Sequence, residues 1–139
     1  MTIAKPNSLK EAELSKEAYK ARPQIEPQIQ DLVKSVEILG YRTIASCRGH
    51  CDGVRVPHPW LRTREYWPQL KETVSEYNSS AVVQWTLDDN TLQPTAHART
   101  EEGLRMLQIE ADKLAQFLFS RASDKDYETY VKERVVELW

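Results

Sequence analysis

The sequence lacks a long apolar run. No stretch approaches the roughly 20 residues that a membrane-spanning helix needs. Residues 1–14 carry Lys and Glu where a signal peptide would have an apolar core. These absences predict a chain that is neither inserted in a membrane nor exported, and the cytoplasm is the expected compartment.

Cysteine is also scarce. The chain has 2 cysteines, Cys47 and Cys51, which are too few for the disulfide framework of a small secreted domain. A reducing compartment is therefore expected, in which the two thiols serve packing, metal binding or chemistry.

An excess of charge of one sign is missing as well. The chain carries 19 basic and 21 acidic side chains, so no global positive field favours nucleic acid or an anionic membrane as a partner. Internal repeats and low-complexity segments are absent too. A length of 139 residues with 40% hydrophobic content fits one domain.

What is present is a series of helix and strand patterns. They predict an α+β domain in the order α-α-β-β-α-β-β-α-α, with helices on one face of a mainly antiparallel sheet of about four strands. Segment 1–22 is expected to be a peripheral helix, segment 23–121 the core, and segment 122–139 a C-terminal helix. The predicted helices cover residues 9–21, 23–39, 65–77, 100–120 and 123–138, and the predicted strands cover residues 41–47, 54–61, 81–87 and 92–99.

The densest group of chemically capable residues follows the first predicted strand. It consists of Ser46, Cys47, Arg48, Gly49, His50 and Cys51. Gly49 permits a positive φ or the close approach of a ligand. Successive loop N–H groups can form an anion-binding nest, flanked here by Arg48 and Arg55. The sequence predicts a site for a phosphate or carboxylate, although Cys47 and Gly49 also suit plain packing and turn roles.

Two other chemistries fit the same loop. A four-coordinate zinc site would use Cys47, His50, Cys51 and His58, although a Cys-x-x-Cys pair is missing. Thiol catalysis would use Cys47 as the nucleophile and His50 as the general acid or base. The sequence leaves these alternatives open and identifies no cofactor.

Three residues outside the loop are candidates for ligand contacts. Trp60 lies near the end of the second predicted strand and could stack on a ring. His97 and Arg99 alternate on one face of the fourth predicted strand. If that face lines the pocket, both side chains converge on the Cys47 loop.

The pattern Ser46-Cys47-x-Gly49-His50, followed by Trp60 and by His97 before a long helix, resembles the wybutosine-synthesis methyltransferase-like family. It is also similar to small uncharacterised prokaryotic and phage proteins with a Ser-Cys-x-Gly-His loop. The first resemblance spans residues 41–119. It implies that Ser46, Cys47, Gly49 and His97 line a pocket for a nucleoside or an S-adenosylmethionine-type ligand, with tRNA as substrate. The chain departs from that family by carrying His50 in place of Arg and by its near-neutral charge.

The leading prediction is a small-molecule binding domain for an anionic, nucleotide-like ligand. In a phage or mobile element, such a domain would sequester a host signalling nucleotide. An enzyme acting on a nucleoside-type substrate is the alternative. A further alternative is an interaction module, in which the N-terminal helix and the tail ending at Leu138-Trp139 dock a partner or a second copy.

Overall fold

The computed structural model describes residues 4–9 and 25–135, the side chains of residues 134 and 135 excepted. Four α-helices and four β-strands lie along this part of the chain, and a short π-helical segment ends it. The predicted α+β class, with an antiparallel sheet and helices on one side, is confirmed. The elements are α1 Pro27–Ile38, β1 Thr43–Cys47, β2 Trp60–Thr63, α2 Pro68–Asn78, β3 Trp85–Asp88, β4 Thr91–Pro94, α3 Glu101–Ser120, α4 Asp124–Thr129 and the π-helical segment Tyr130–Val135.

The first helix, α1, begins with Pro27 and is shorter than the predicted helix over residues 23–39. Proline suits the first helical position because its missing N–H would have no partner there. A proline also keeps the residue before it out of the helical region. Glu26 is accordingly extended, with φ −69° and ψ 140°, and it stands outside the helix.

The strands form one antiparallel sheet in the order β1-β2-β4-β3. The register places Ser46 opposite Leu61, Leu61 opposite Leu92, and Leu92 opposite Leu87. Residues directly opposite each other face the same side of an antiparallel sheet, and the three leucines are buried. This row therefore marks the face that the helices cover.

The second strand is displaced toward the C-terminus relative to the prediction of residues 54–61, since β2 begins only at Trp60. Pro57 and Pro59 have no N–H to donate to a ladder. Residues 48–59 therefore form a long connection, which we call the β1–β2 loop.

The predicted hairpin is formed by β3 and β4, with Asp89 and Asn90 in the turn. Asp89 has a φ of 53°, which aspartate tolerates better than most residues do. Both strands are shorter than predicted. Because β4 stops at Pro94, His97 lies in a loop over residues 95–100 and is exposed, which corrects its predicted position on a strand.

The helix predicted over residues 100–120 is confirmed as α3. Its N-cap Thr100 accepts the N–H of Gly103 at 3.0 Å. The predicted C-terminal helix begins as α4, capped by Ser123, and continues as the π-helical segment. None of the helices within residues 4–9 and 25–135 is both long and apolar enough to cross a membrane.

The core lies between the sheet and the helices. Helix α1 packs against α3 and β1, and α2 packs against β3 and α3. Leu9 is 1% exposed and belongs to this core, so the predicted peripheral segment 1–22 reaches the interior at that residue. The remainder of the predicted helix over residues 9–21 lies outside the described residues.

Candidate functional site

Most of the predicted site residues lie at one end of the sheet, where strands end and begin. Because the strands are antiparallel, β1 and β4 end at this edge and β2 and β3 begin there. The β1–β2 loop and the loop over residues 95–100 both leave from it. We call it the loop edge. Cys47 and Trp60 lie there at the ends of β1 and β2, and His50, His58 and His97 lie in the two loops.

Three metal-ligating side chains converge at the loop edge. Ligand atoms of Glu26, Cys47 and His50 all lie within 4.8 Å of one another. The imidazole Nε2 of His50 is 3.8 Å from Oε2 of Glu26. His50 is 8% exposed, whereas Glu26 and Cys47 are half-buried. We refer to these residues as the Glu26 cluster.

Neighbouring N–H groups hold two members of the Glu26 cluster in place. The backbone N–H of Arg48 donates to Oε1 of Glu26 at 3.0 Å, and the Arg48 Nε lies 3.2 Å from Oε2 of the same carboxylate. The N–H of Gly49 donates to Sγ of Cys47 at 3.4 Å. Each contact directs an N–H toward a potential ligand atom and so fixes the orientation of that side chain.

Gly49 allows the β1–β2 loop to fold back on itself. Its φ is 90°, and a Cβ there would lie 2.7 Å from the carbonyl carbon of His58 and 2.7 Å from Cδ1 of Leu104. Gln108 of α3 also donates to the carbonyl of Arg48 at 3.1 Å. The loop is therefore packed against α3, and only glycine fits at its closest approach.

Three of the loop N–H groups that were predicted to bind an anion, those of Arg48, Gly49 and His50, have partners within the chain. Those of Arg48 and Gly49 make the contacts described above, and that of His50 donates to the carbonyl of Val56 at 3.0 Å. These donors are satisfied without a ligand. The anion site predicted at this loop therefore stays a prediction, and these three N–H groups would have to give up their present partners to take part in it.

The two arginines that flank the predicted nest also face carboxylates. Arg48 contacts Glu26, and the Nε of Arg55 lies 2.7 Å from Oδ2 of Asp52. The backbone N–H groups of Arg55 and Val54 donate to Asp52 as well. These hydrogen bonds, that of the Arg55 N–H foremost, lower the pKa of Asp52. Arg55 therefore shapes the tip of the loop.

Two of the four predicted zinc ligands stand apart from the others. The thiol of Cys51 donates to the carbonyl of Thr100 at 3.4 Å, and the ring of His58 makes hydrogen bonds elsewhere. The structure thus brings together Cys47 and His50 of the predicted set. It adds Glu26, which is not among the predicted site residues.

A second polar group at the loop edge surrounds His58. Its Nδ1 lies 2.8 Å from Nδ1 of His97, and its Nε2 lies 2.9 Å from Oε1 of Gln93. His58 is 5% exposed. Burial lowers the pKa of His58; the hydrogen bond to Gln93 opposes this shift and the charge of His97 adds to it.

The remaining predicted ligand contacts are more exposed. Trp60 is half-buried opposite Cys47 in the β1–β2 register, with the guanidinium of Arg62 5.8 Å from its ring centroid. Arg99 is exposed in the loop before α3, and Ser46 is half-buried in β1. Trp60 is thus the aromatic side chain nearest in register to the Glu26 cluster.

Glu26 and Gln93 were missed because they are distant in sequence from the Cys47 loop. A signal for Glu26 does exist in the dipeptide Glu26-Pro27, since proline at a helix start keeps the preceding residue extended and outside the helix. Gln93 has no such signal. Its role depends on the register between β4 and its neighbours.

Two surface cavities lie away from the loop edge. One of about 280 Å³ is lined by residues at the start of β1 and the end of β2, namely Gly40, Arg42, Arg64, Glu65 and Trp67. Another of about 280 Å³ lies between the end of α1 and the C-terminal helices. Neither is lined by a predicted site residue. We therefore place the candidate site by the metal-ligating and hydrogen-bonding side chains of the loop edge and not by these two cavities.

No protein-family model, curated protein or solved structure matches this chain. The resemblance to the wybutosine-synthesis methyltransferase-like family therefore stays a prediction.

Proposed function

We propose that this protein binds a divalent transition metal, preferably Zn²⁺, through Glu26, Cys47 and His50. The observation that carries the proposal is the convergence of a carboxylate, a thiol and an imidazole within 4.8 Å. Oxygen, sulfur and nitrogen ligands of these three types are the ones that zinc uses in proteins.

The spacing within the Glu26 cluster favours an ion over a direct hydrogen-bonded triad. In a hydrogen-bonded triad the base and the carboxylate that orients it are expected at about 2.6–3.2 Å, whereas Nε2 of His50 and Oε2 of Glu26 are 3.8 Å apart. Ligands of a tetrahedral zinc, with bonds of about 2.0–2.3 Å, lie roughly 3.3–3.6 Å apart. The cluster is slightly wider than that, so small side-chain rotations would close it around an ion.

The charges in the cluster also suit a dication. A thiolate and a carboxylate would together neutralise Zn²⁺, and the N–H groups of Arg48 and Gly49 would remain as outer-sphere donors to them. Outer-sphere hydrogen bonds of this kind orient metal ligands. Arg48 is therefore assigned a positioning role.

Three protein ligands would leave one position of a tetrahedral metal open. Structural zinc sites use four protein ligands, and an open position is typical of sites that bind or activate a small molecule. We infer that the predicted anionic ligand, or water, occupies this position. Metal binding thereby takes over the anion-binding role that the loop N–H groups were predicted to fill.

Titration of the metal-free protein with Zn²⁺ in a calorimeter tests the proposal. Wild type should bind about one ion, and Glu26→Gln, Cys47→Ser and His50→Ala should each weaken binding at least about tenfold. Cys51→Ser is the matched control, because Cys51 contacts the carbonyl of Thr100. Loss of binding in Cys51→Ser but not in Cys47→Ser, or no binding by wild type, would refute the proposed ligand set.

A thiol nucleophile is the second candidate function, because the cluster also holds a thiol, an imidazole and a carboxylate. Alkylation of Cys47 with iodoacetamide distinguishes the two. The metal proposal predicts that Zn²⁺ protects Cys47 and that His50→Ala raises the Zn²⁺ concentration needed for protection at least about tenfold. Fast alkylation that Zn²⁺ leaves unchanged and that His50→Ala slows would favour the nucleophile instead.

A further inference from the structure

The hydrogen bonds of His58 define where the protons of the neighbouring side chains lie. Each of its two contacts, at 2.8 Å to His97 and 2.9 Å to Gln93, needs one hydrogen between the two heavy atoms. The Oε1 of Gln93 is an acceptor only. The Nε2 of His58 must therefore carry the hydrogen in that contact.

A neutral His58 then has an acceptor nitrogen at Nδ1. Burial favours this neutral form, in line with the lowered pKa of His58. The hydrogen in the 2.8 Å contact must consequently come from Nδ1 of His97. A neutral His97 with its hydrogen on Nδ1 carries its lone pair on Nε2, the opposite nitrogen of an exposed ring.

The position of His97 is fixed from two sides. His58, behind it, is buried, and the next residue, Ala98, donates its N–H to the carbonyl of Pro57 at 2.9 Å. This hydrogen bond ties the loop over residues 95–100 to the β1–β2 loop. The Nε2 of His97 has no hydrogen-bond partner in the part of the chain that the structure describes.

We propose that His97 is the proton-accepting residue of the loop edge, positioned by His58 and Gln93. Its Nε2 receives a hydrogen bond, and then the proton, from a hydroxyl group or water molecule bound at this edge. The proton moves from the ligand oxygen to Nε2, which leaves an alkoxide or hydroxide and an imidazolium. The Nδ1–H of that imidazolium remains donated to His58, so its ring orientation is unchanged.

This assignment gives His58 a role that plain packing would not require. The hydrogen bond at one nitrogen of a histidine decides which nitrogen is left for a ligand. Free histidine prefers its hydrogen on Nε2. His58 keeps this tautomer, whereas His97, with its hydrogen on Nδ1, has the less common one. A reversed tautomer is a spectroscopic signature that burial alone does not produce.

Nitrogen NMR of the histidine side chains in metal-free, ¹⁵N-labelled protein at mildly alkaline pH tests the proposal. We expect the hydrogen of His97 on Nδ1 and that of His58 on Nε2. In His58→Phe, His97 should return to the ordinary preference for Nε2–H. His50→Ala is the control and should leave His97 unchanged. A wild-type His97 with its hydrogen on Nε2, or one that His58→Phe does not alter, overturns the assignment.

Acylation with diethyl pyrocarbonate, followed by peptide mass spectrometry, tests access to the lone pair. His97 should react much faster than His58 and His50, which are 5% and 8% exposed. A folded protein in which His97 reacts no faster than these two would also overturn the proposal. Neither experiment uses a metal, so failure of the proposed metal site and failure of this inference are distinguishable.

Discussion

Gly49 is the residue on which the conformation of the β1–β2 loop depends most. Its positive φ excludes most side chains, and the carbonyl carbon of His58 and the Cδ1 of Leu104 occupy the space that a Cβ would need. Gly53, in the same loop, also has a positive φ, of 77°, yet no atom of residues 4–9 and 25–135 lies within 4 Å of its Cβ position. A side chain at Gly53 would meet backbone strain alone, whereas one at Gly49 would meet backbone strain and a steric clash.

Gly49→Ala should destabilise the protein considerably more than Gly53→Ala does. The left-handed backbone alone costs about 1–2 kcal/mol in each variant, and Gly49→Ala adds the displacement of the loop from α3, for a total of roughly 3 kcal/mol or more. Urea unfolding of both variants measures the difference. Equal losses would show that the contacts of Gly49 contribute nothing.

Cys47 and His50, two members of the Glu26 cluster, were among the predicted site residues because reactive residue types gather where a strand ends. The third member of the cluster, Glu26, was not predictable from local sequence patterns. Glu26 is brought to the loop by the packing of α1 beside β1, which local patterns do not encode. The partnership of His58 with Gln93 depends in the same way on strand register.

The contact between α1 and α3 includes two acidic residues, Asp31 and Asp112. Desolvation of its carboxyl, together with the nearby charge of Asp31, raises the pKa of Asp112 to about 6. The folded state therefore holds a proton on Asp112 more tightly than the unfolded chain, whose carboxyl has the ordinary value of 3.8. Stability is lost as pH rises through the interval between these values.

Asp112→Asn should stabilise the protein at neutral pH and have little effect near pH 4. The asparagine side chain carries no charge, so it escapes the cost that wild type incurs as its carboxylate ionises. Urea unfolding at several pH values from about 4 to 8 measures the difference. Asp31→Asn should give a smaller gain, since desolvation is the larger cause. A gain independent of pH would contradict this explanation.

Element boundaries were predictable where side chains cap or interrupt the backbone. Thr100 and Ser123 marked the starts of α3 and α4 correctly. The alternating pattern predicts a strand up to residue 99, whereas β4 ends at Pro94, which cannot donate to the ladder. This error placed His97 on a sheet face, whereas it lies in a loop.

Residues near the N-terminus bind to the end of α3 and the start of α4. Lys5 donates from Nζ to the carbonyls of Phe119 at 3.1 Å and Ala122 at 2.6 Å, where α3 ends. Its backbone N–H donates to Asp124 at 3.1 Å, and Leu9 is part of the core. A cation at a helix C-terminus satisfies carbonyls that have no helical partner and complements the helix dipole.

Lys5→Met should lower the free energy of unfolding by about 1–2 kcal/mol, because it leaves these carbonyls without their donor. Lys125→Met is the control, since Lys125 is exposed at the start of α4, and it should change stability by less than about 0.5 kcal/mol. Thermal and urea unfolding measure both variants. Equal effects of the two substitutions would refute the anchoring role of Lys5.

The α+β class was predictable because hydrophobic periodicity follows the backbone repeat of each element. The packing of the β1–β2 loop on α3 was not, since it depends on Gln108 and Leu104, about 60 residues beyond the loop in sequence. The Glu26 cluster is therefore a property of the folded whole, formed where α1, β1 and this loop meet.

Absorption spectroscopy with Co²⁺ in place of Zn²⁺ tests the central claim most directly. Binding at the Glu26 cluster predicts a thiolate-to-cobalt charge-transfer band that saturates at about one ion per chain and is unchanged in Cys51→Ser. It also predicts that the band disappears in Cys47→Ser and weakens in Glu26→Gln and His50→Ala. A spectrum without the thiolate band, or one that persists in Cys47→Ser, would contradict the assignment of Glu26, Cys47 and His50 as a metal site.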